Sequence, residues 1–211
     1  ADEGEWAERV RVVLGGENGW DWQSDADGTG VSLELIQPGL PNNRGQNWSS
    51  STLQGGTPGL VNTVSSTNLP PMIRKVKHEP AIPRFADPVT ITARLEDEIS
   101  HPSAQVHWRI SAASPGAFNL AAMSEGDPGD FSVVLPAQAE NSVIEFYISA
   151  QDGVHTRTWP APTDQGQVAN AYYLVDSTPD PPGTAVYRAV MSVADKGQYD
   201  TINRQSDALL N

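Results

Sequence analysis

Two short acidic stretches are the first places to look for chemistry in this chain. Asp21, Asp25 and Asp27 precede Gly28, while Glu125, Asp127 and Asp130 share the segment EGDPGD. Hard cations such as calcium take several oxygen ligands, and one loop can supply most of them. Either stretch could therefore hold calcium, the one cofactor the sequence suggests. Neither completes a helix–loop–helix calcium loop: the closing glutamate position holds Ser32 counted from Asp21, and Ile36 counted from Asp25. The competing reading of both is a solvated polar turn.

Tryptophan offers a second chemistry. A flat indole face on a β scaffold stacks against the C–H groups of a sugar ring, and Trp20, Trp22 and Trp48 are the candidates for glycan binding. Trp20 and Trp22 lie two apart and would share one face of a strand. Against this stands the usual fate of tryptophan, which is to bury its ring and pair its N–H. Catalytic patterns do not emerge. The four histidines, His78, His101, His107 and His155, are scattered, and no serine sits in a Gly-x-Ser-x-Gly elbow. Gly15-Gly16 and Gly55-Gly56 lack phosphate-loop spacing. Glu96, Asp97 and Glu98 are consecutive, point to alternate sides and read as solvated charge rather than an acid–base pair. The chain is not expected to be an enzyme.

The elements that must position these residues are short. The 211 residues include 17 Pro and 18 Gly, with 38% hydrophobic and 7% aromatic content, which suits a compact β core and breaks long helices. An excess of 26 Asp and Glu over 13 Lys and Arg gives a net charge of −13. Such a surface repels phosphate backbones and anionic membranes, so no nucleic-acid partner is expected. No membrane insertion is expected either, because no apolar run reaches the roughly 18 residues of a span. Without cysteine, neither disulfides nor thiolate zinc sites can contribute. The chain opens on Ala1 with an acidic run and no leader pattern, and reads as a segment of a longer protein.

Along the chain, Arg9 to Leu14 and Ser32 to Ile36 read as strands. Gln37 to Asn68 has almost no periodicity; it must either wrap a neighbouring surface, anchored by Trp48 and Leu53, or form a mobile connection. Pro70-Pro71 marks a boundary. Beyond it, alternation predicts strands over Met72 to Val76, Val89 to Leu95, Phe118 to Met123 and Tyr172 to Val175. Further strands carry Val106, Trp108 and Ile110; Val133 and Leu135; and Ile144, Phe146, Ile148 and Ala150. About seven short strands separated by turns predict an immunoglobulin-like antiparallel β-sandwich with Trp108 as its core plug. Pro179, Pro181 and Pro182 predict an extended linker. Tyr187 to Val193 then reads as a strand, and the spacing of Ser192 and Asp195 opens a short helix that must dock on the sandwich or fray. The predicted units are 1–68, a partial β segment; 69–176, the sandwich; and 177–211, the linker with a short strand and helix.

Three segments resemble modules of secreted bacterial proteins. GWDWQSDADGTGVSLELIQPGLPNNRGQNWSS with GGTPGLVN is similar to the last part of a bacterial lamin-tail domain, itself an immunoglobulin-like sandwich. The stretch from PPMIRKVKHEPAIPRFADPVTITARLEDE to VIEFYISAQDGVHTRTWPAP resembles the immunoglobulin or fibronectin type III-like module that often follows. VYRAVMSVADKGQY is similar to the opening strand and helix of a CotH-type, spore-coat kinase-like domain. Only the middle resemblance covers a whole domain. The kinase-like family's catalytic residues would lie beyond Asn211, so none transfers. The middle family's acidic, glycine-rich hairpin is shortened here to Glu125 through Asp130, which weighs against an ion site there.

The resulting expectation is a non-catalytic structural or interaction module of an exported or cell-surface bacterial protein. Its partners would be the flanking domains of the same longer protein. Glycan binding through Trp20, Trp22 and Trp48 is one alternative, and support of a kinase-like domain is another. A remnant sheet of so few strands leaves one face uncovered. Leu33, Leu35 and Trp48 must then bury against the sandwich or, by self-association, against a second copy of the chain.

Overall fold

The computed structural model describes residues 24–26, 28–98, 102–161, 170–183, 186 and 188–201. The strand expected over Arg9 to Leu14 lies outside them. Strands β1 (Val31–Leu35) and β2 (Trp48–Gln54) form an N-terminal ribbon. A sandwich follows from β3 (Met72–Glu79), β4 (Val89–Glu96), β5 (Ser103–Ile110), β6 (Asn119–Ala122), β7 (Ser124–Glu125), β8 (Asp130–Leu135), β9 (Val143–Gln151), β10 (Thr156–Trp159) and β11 (Ala171–Leu174). Helix α1 (Val193–Thr201) comes last. The chain is all-β in class, and every strand pairing is antiparallel.

One sheet of the sandwich runs β3-β4-β8-β7 and the other β6-β5-β9-β10, with β11 also on β9. β10 pairs with Ile148 to Gln151 and β11 with Val143 to Phe146, so the two follow one another along β9. Counted along the chain, this is the four-plus-three order of an immunoglobulin sandwich with β6 added at one edge. The alternation explains the layers. On β4, Val89, Ile91, Ala93 and Leu95 are 1%, 0%, 4% and 3% exposed, while the residues between them are half-buried. β9 supplies the opposing row of Ile144, Phe146, Ile148 and Ala150. β3 changes the parity of its inward face at a bulge between Arg74 and Lys77, where Lys75 takes a positive φ. Ile73 points inward before the bulge, and Val76 packs on the core after it.

The core plug is Trp159 on β10, not Trp108. Trp159 is 5% exposed, and its ring centroid lies 6.4 Å from that of Phe146, which in turn lies 6.2 Å from that of Tyr173. The inward row of β5 runs off the end of the core: Val106 is fully buried, Trp108 half-buried and Ile110 exposed.

The strand expected over Tyr187 to Val193 does not form among the residues described there. Arg188 instead turns back to Asp180 at 2.6 Å and Asp176 at 3.5 Å. That pairing returns the chain to the sandwich, where the Val193 N–H donates to the Ser111 Oγ at 3.1 Å. The predicted cap forms: the Ser192 Oγ accepts the Asp195 N–H at 3.0 Å and donates to its carboxylate at 2.7 Å.

Candidate functional site

The ribbon inverts the burial expected of it. Glu34 is 4% exposed, whereas Leu33 and Leu35 are half-buried. The carboxylate is the centre around which the polar span folds. Its Oε1 accepts the Thr57 hydroxyl at 2.5 Å, and its Oε2 accepts the Thr63 N–H at 2.7 Å and the Thr63 hydroxyl at 2.8 Å. The same span hands Asn62 Nδ2 to the Leu35 carbonyl (2.8 Å) and the Ser66 N–H to the Ile36 carbonyl (3.2 Å). Residues 57–66 therefore close the open edge of β1 without forming a strand. Leu53, one of the two anchors expected for this span, is instead 54% exposed. β2 itself was not anticipated.

The hydrogen bond from the Thr57 hydroxyl, with those from Thr63 and Val64, holds the Glu34 carboxyl below the usual glutamate range in spite of burial. A carboxyl that titrates lower in the folded state stabilises that state above its unfolded value of about 4.3. This contribution is lost as pH falls through the folded value. Glu34→Gln should therefore be less stable than the parent at neutral pH, with the difference shrinking as the pH is taken down through the acid range. Urea midpoints of both proteins across that range test it; a difference that does not change with pH would count against the role given to Glu34.

Between β1 and residues 55–62 lies an open cleft of about 450 Å³. Leu33, Leu35, Trp48, Pro58, Leu60 and Asn62 are among its lining residues. Trp48 is half-buried here, with Nε1 donating to the Asn42 carbonyl at 2.8 Å. Beside the cleft, Leu60 and Val61 are 76% and 80% exposed.

A second polar centre joins the ribbon to the sandwich. The Gln46 side chain, 5% exposed, mimics a neighbouring strand: Nε2 donates to the Ile73 carbonyl at 2.9 Å and Oε1 accepts the Ile73 N–H at 3.0 Å. Ile73 lies on β3, an edge strand, so one amide side chain covers part of an otherwise open edge. The buried guanidinium of Arg157 on β10 donates to Gln46 Oε1 at 3.2 Å, to the Gln46 carbonyl at 3.1 Å and to the Pro71 carbonyl at 3.4 Å. Burial pushes Arg157 down to about 10, opposed by the charge of Glu98, so it remains a cation at neutral pH.

Of the residues singled out from the sequence, Trp20, Asp21, Trp22 and Asp27 lie outside the described residues. Asp25 is exposed in a short 3-10 turn, and its carbonyl accepts the Thr29 hydroxyl. In the EGDPGD turn, Glu125 accepts the Gly129 N–H at 2.7 Å and Asp130 pairs with Arg94 at 2.8 Å. Those carboxylates brace the turn, and among the described residues no group of three His, Asp or Glu side chains converges. The Glu96 and Glu98 carboxylates are not free solvated charge. Glu96 pairs with Arg74 at 2.9 Å, and Glu98 accepts the Leu69 N–H. Burial pushes both His78 and His107 below the ordinary histidine value. His78 packs on Tyr173, whereas His107 stacks on Tyr147 at 4.2 Å on the opposite sheet. The residues that organise this region, Glu34, Gln46 and Arg157, were not among those singled out.

No family model matches the chain, and no curated protein matches it either. Among solved structures it is similar to a crystal structure of the Br derivative of BhCBM56, at 15% identity and a TM-score of 0.31. That match covers 51% of this chain and 90% of the other. A likeness of that size decides neither ligand nor function.

Proposed function

We propose that this chain is a non-catalytic positioning module of an exported or cell-surface bacterial protein, in which the sandwich holds the segments on either side of it at fixed orientations. One observation carries the reading: the buried joint of Gln46, Ile73 and Arg157, which ties the ribbon to both sheets of the sandwich. A flexible tether would need no such joint, and burying these groups is costly unless each is paired. The C-terminal segment is fastened too, through Arg188 to Asp176 and Asp180 and through Val193 to Ser111. The resemblance of the two ends to lamin-tail and CotH-type segments supports the bacterial, exported setting and the flanking domains as partners.

The chain has no cysteine, so a pair of introduced thiols can be labelled cleanly. Spin labels at Asn43→Cys on the ribbon and Val154→Cys, 76% exposed on the sandwich, report the orientation directly. With labelled protein diluted into unlabelled, one narrow distance distribution is expected, broadening when Gln46→Ala is added. A broad distribution in the parent would mean a loose tether and end the proposal.

A further inference from the structure

The ribbon carries a surface unlike the rest of the molecule. Residues 45–73 contain no Asp, Glu, Lys or Arg, in a chain that is 18% charged and carries a net −13. Glu34, which lines the cleft, is buried and its carboxylate is occupied by Thr57 and Thr63. Within this uncharged stretch two consecutive aliphatic side chains are exposed, Leu60 at 76% and Val61 at 80%. Beside them lies the cleft, with Leu33, Leu35 and Trp48 half-buried in it. Exposed aliphatic side chains at an uncharged cleft of mixed polar and apolar lining mark an interaction surface.

We propose that this face is a homotypic interface and that its occupant is a second copy of the same chain. Two points favour a copy. A loop that exposes Leu60 and Val61 and a cleft that offers Leu33, Leu35 and Trp48 adjoin on one surface and can be exchanged about a two-fold axis, each copy placing Leu60 and Val61 against the other's cleft. Charge selects the same face. Two molecules of like net charge repel over roughly a Debye length, about 8 Å at physiological salt. The uncharged ribbon face is where that repulsion is weakest, and depletion of charge is characteristic of interface cores. A neutral sugar suits the surface less well. It would cover the Trp48 face but leave Val61 in water, and the Trp48 N–H is already given to Asn42.

Sedimentation equilibrium of the full chain, from micromolar to millimolar concentration and at low and high salt, tests this. A reversible dimer is expected, and it should tighten as salt rises because screening weakens the repulsion between the two −13 charges. Leu60→Asp should weaken it by at least roughly tenfold, since it places a charge in an apolar contact. Leu120→Asp, at a residue 63% exposed on β6 of the sandwich, should leave it unchanged. If Leu60→Asp disturbs the circular dichroism spectrum, Val61→Asp is read in its place. The proposal is overturned by a monomer at every concentration, including one that binds a neutral oligosaccharide. A dimer that survives both ribbon variants, or that is lost equally with Leu120→Asp, also overturns it.

Discussion

Replacing Gln46 by alanine is expected to lower the unfolding free energy by about 3–5 kcal/mol. The change deletes no large apolar group. Its cost comes from what is left behind: the Ile73 N–H and carbonyl lose the Gln46 amide at a covered sheet edge, and the buried Arg157 loses the Gln46 Oε1. Each buried polar group without a partner costs about 1–3 kcal/mol, and a charge more. The backbone carbonyl of Gln46 and that of Pro71 remain available to Arg157, which keeps the loss within that range. Arg157→Met separates the contributions. In the parent it removes a cation and leaves the Gln46–Ile73 pair standing, so it should cost less than Gln46→Ala. Added to Gln46→Ala it removes the cation that had lost one of its partners, so the double variant should fall short of the sum by at least about 1 kcal/mol. Urea unfolding of the four proteins measures the cycle. A Gln46→Ala loss below about 1 kcal/mol, or strict additivity, would mean the joint is not holding the two parts together.

How much of this could be read from the sequence depends on where each element draws its stability. β4 and β9 were legible because their inward rows are apolar on every second residue, and burial alone fixes their register. β2 was hidden for the opposite reason. Its sequence WSSSTLQ has no apolar alternation, its buried residue is Ser51, and it is held by its ladder with β1 and by hydroxyl groups. β10 is only TRTW, and its inward residues are Arg157 and Trp159, so parity puts a cation where a hydrophobic residue is sought. The partner that explains Arg157 is Gln46, 111 residues earlier, and local spacing carries no mark of such a pairing. Glu34 did leave a signal, as the one charge inside the apolar run VSLELI. Burial was expected of Leu33 and Leu35, and it falls on Glu34 instead. A carboxylate fully met by hydroxyl and N–H groups can be buried while the leucines beside it stay half in water.

The second large effect expected is at Gly56, and its neighbour supplies the control. Gly55 and Gly56 have φ of +78° and +66°, both in the region that costs other residues roughly 1–2 kcal/mol. The space around them differs. A Cβ added at Gly55 meets nothing within 4 Å, whereas one at Gly56 would lie 2.1 Å from the Ser32 Oγ and 2.9 Å from its Cβ. Rotating the Ser32 side chain can move the Oγ but not the Cβ, which is fixed by the β1 backbone, so β1 or the loop must shift. Gly55→Ala should therefore cost only the backbone penalty, about 1–2 kcal/mol. Gly56→Ala should cost about 1–3 kcal/mol more, the range for overpacking, and should loosen the bond from Thr57 to Glu34 immediately beyond it. Ser32→Gly offers a rescue, since it removes both obstructing atoms. In that background the two alanine variants should differ by less than about 1 kcal/mol. Chemical denaturation gives the energies, and hydrogen exchange at the Thr63 amide, which is bonded to Glu34, reports whether the loop has opened. Equal losses for Gly55→Ala and Gly56→Ala would show that Ser32 can move aside. The close packing of the loop on β1 would then not be what holds Glu34 in place.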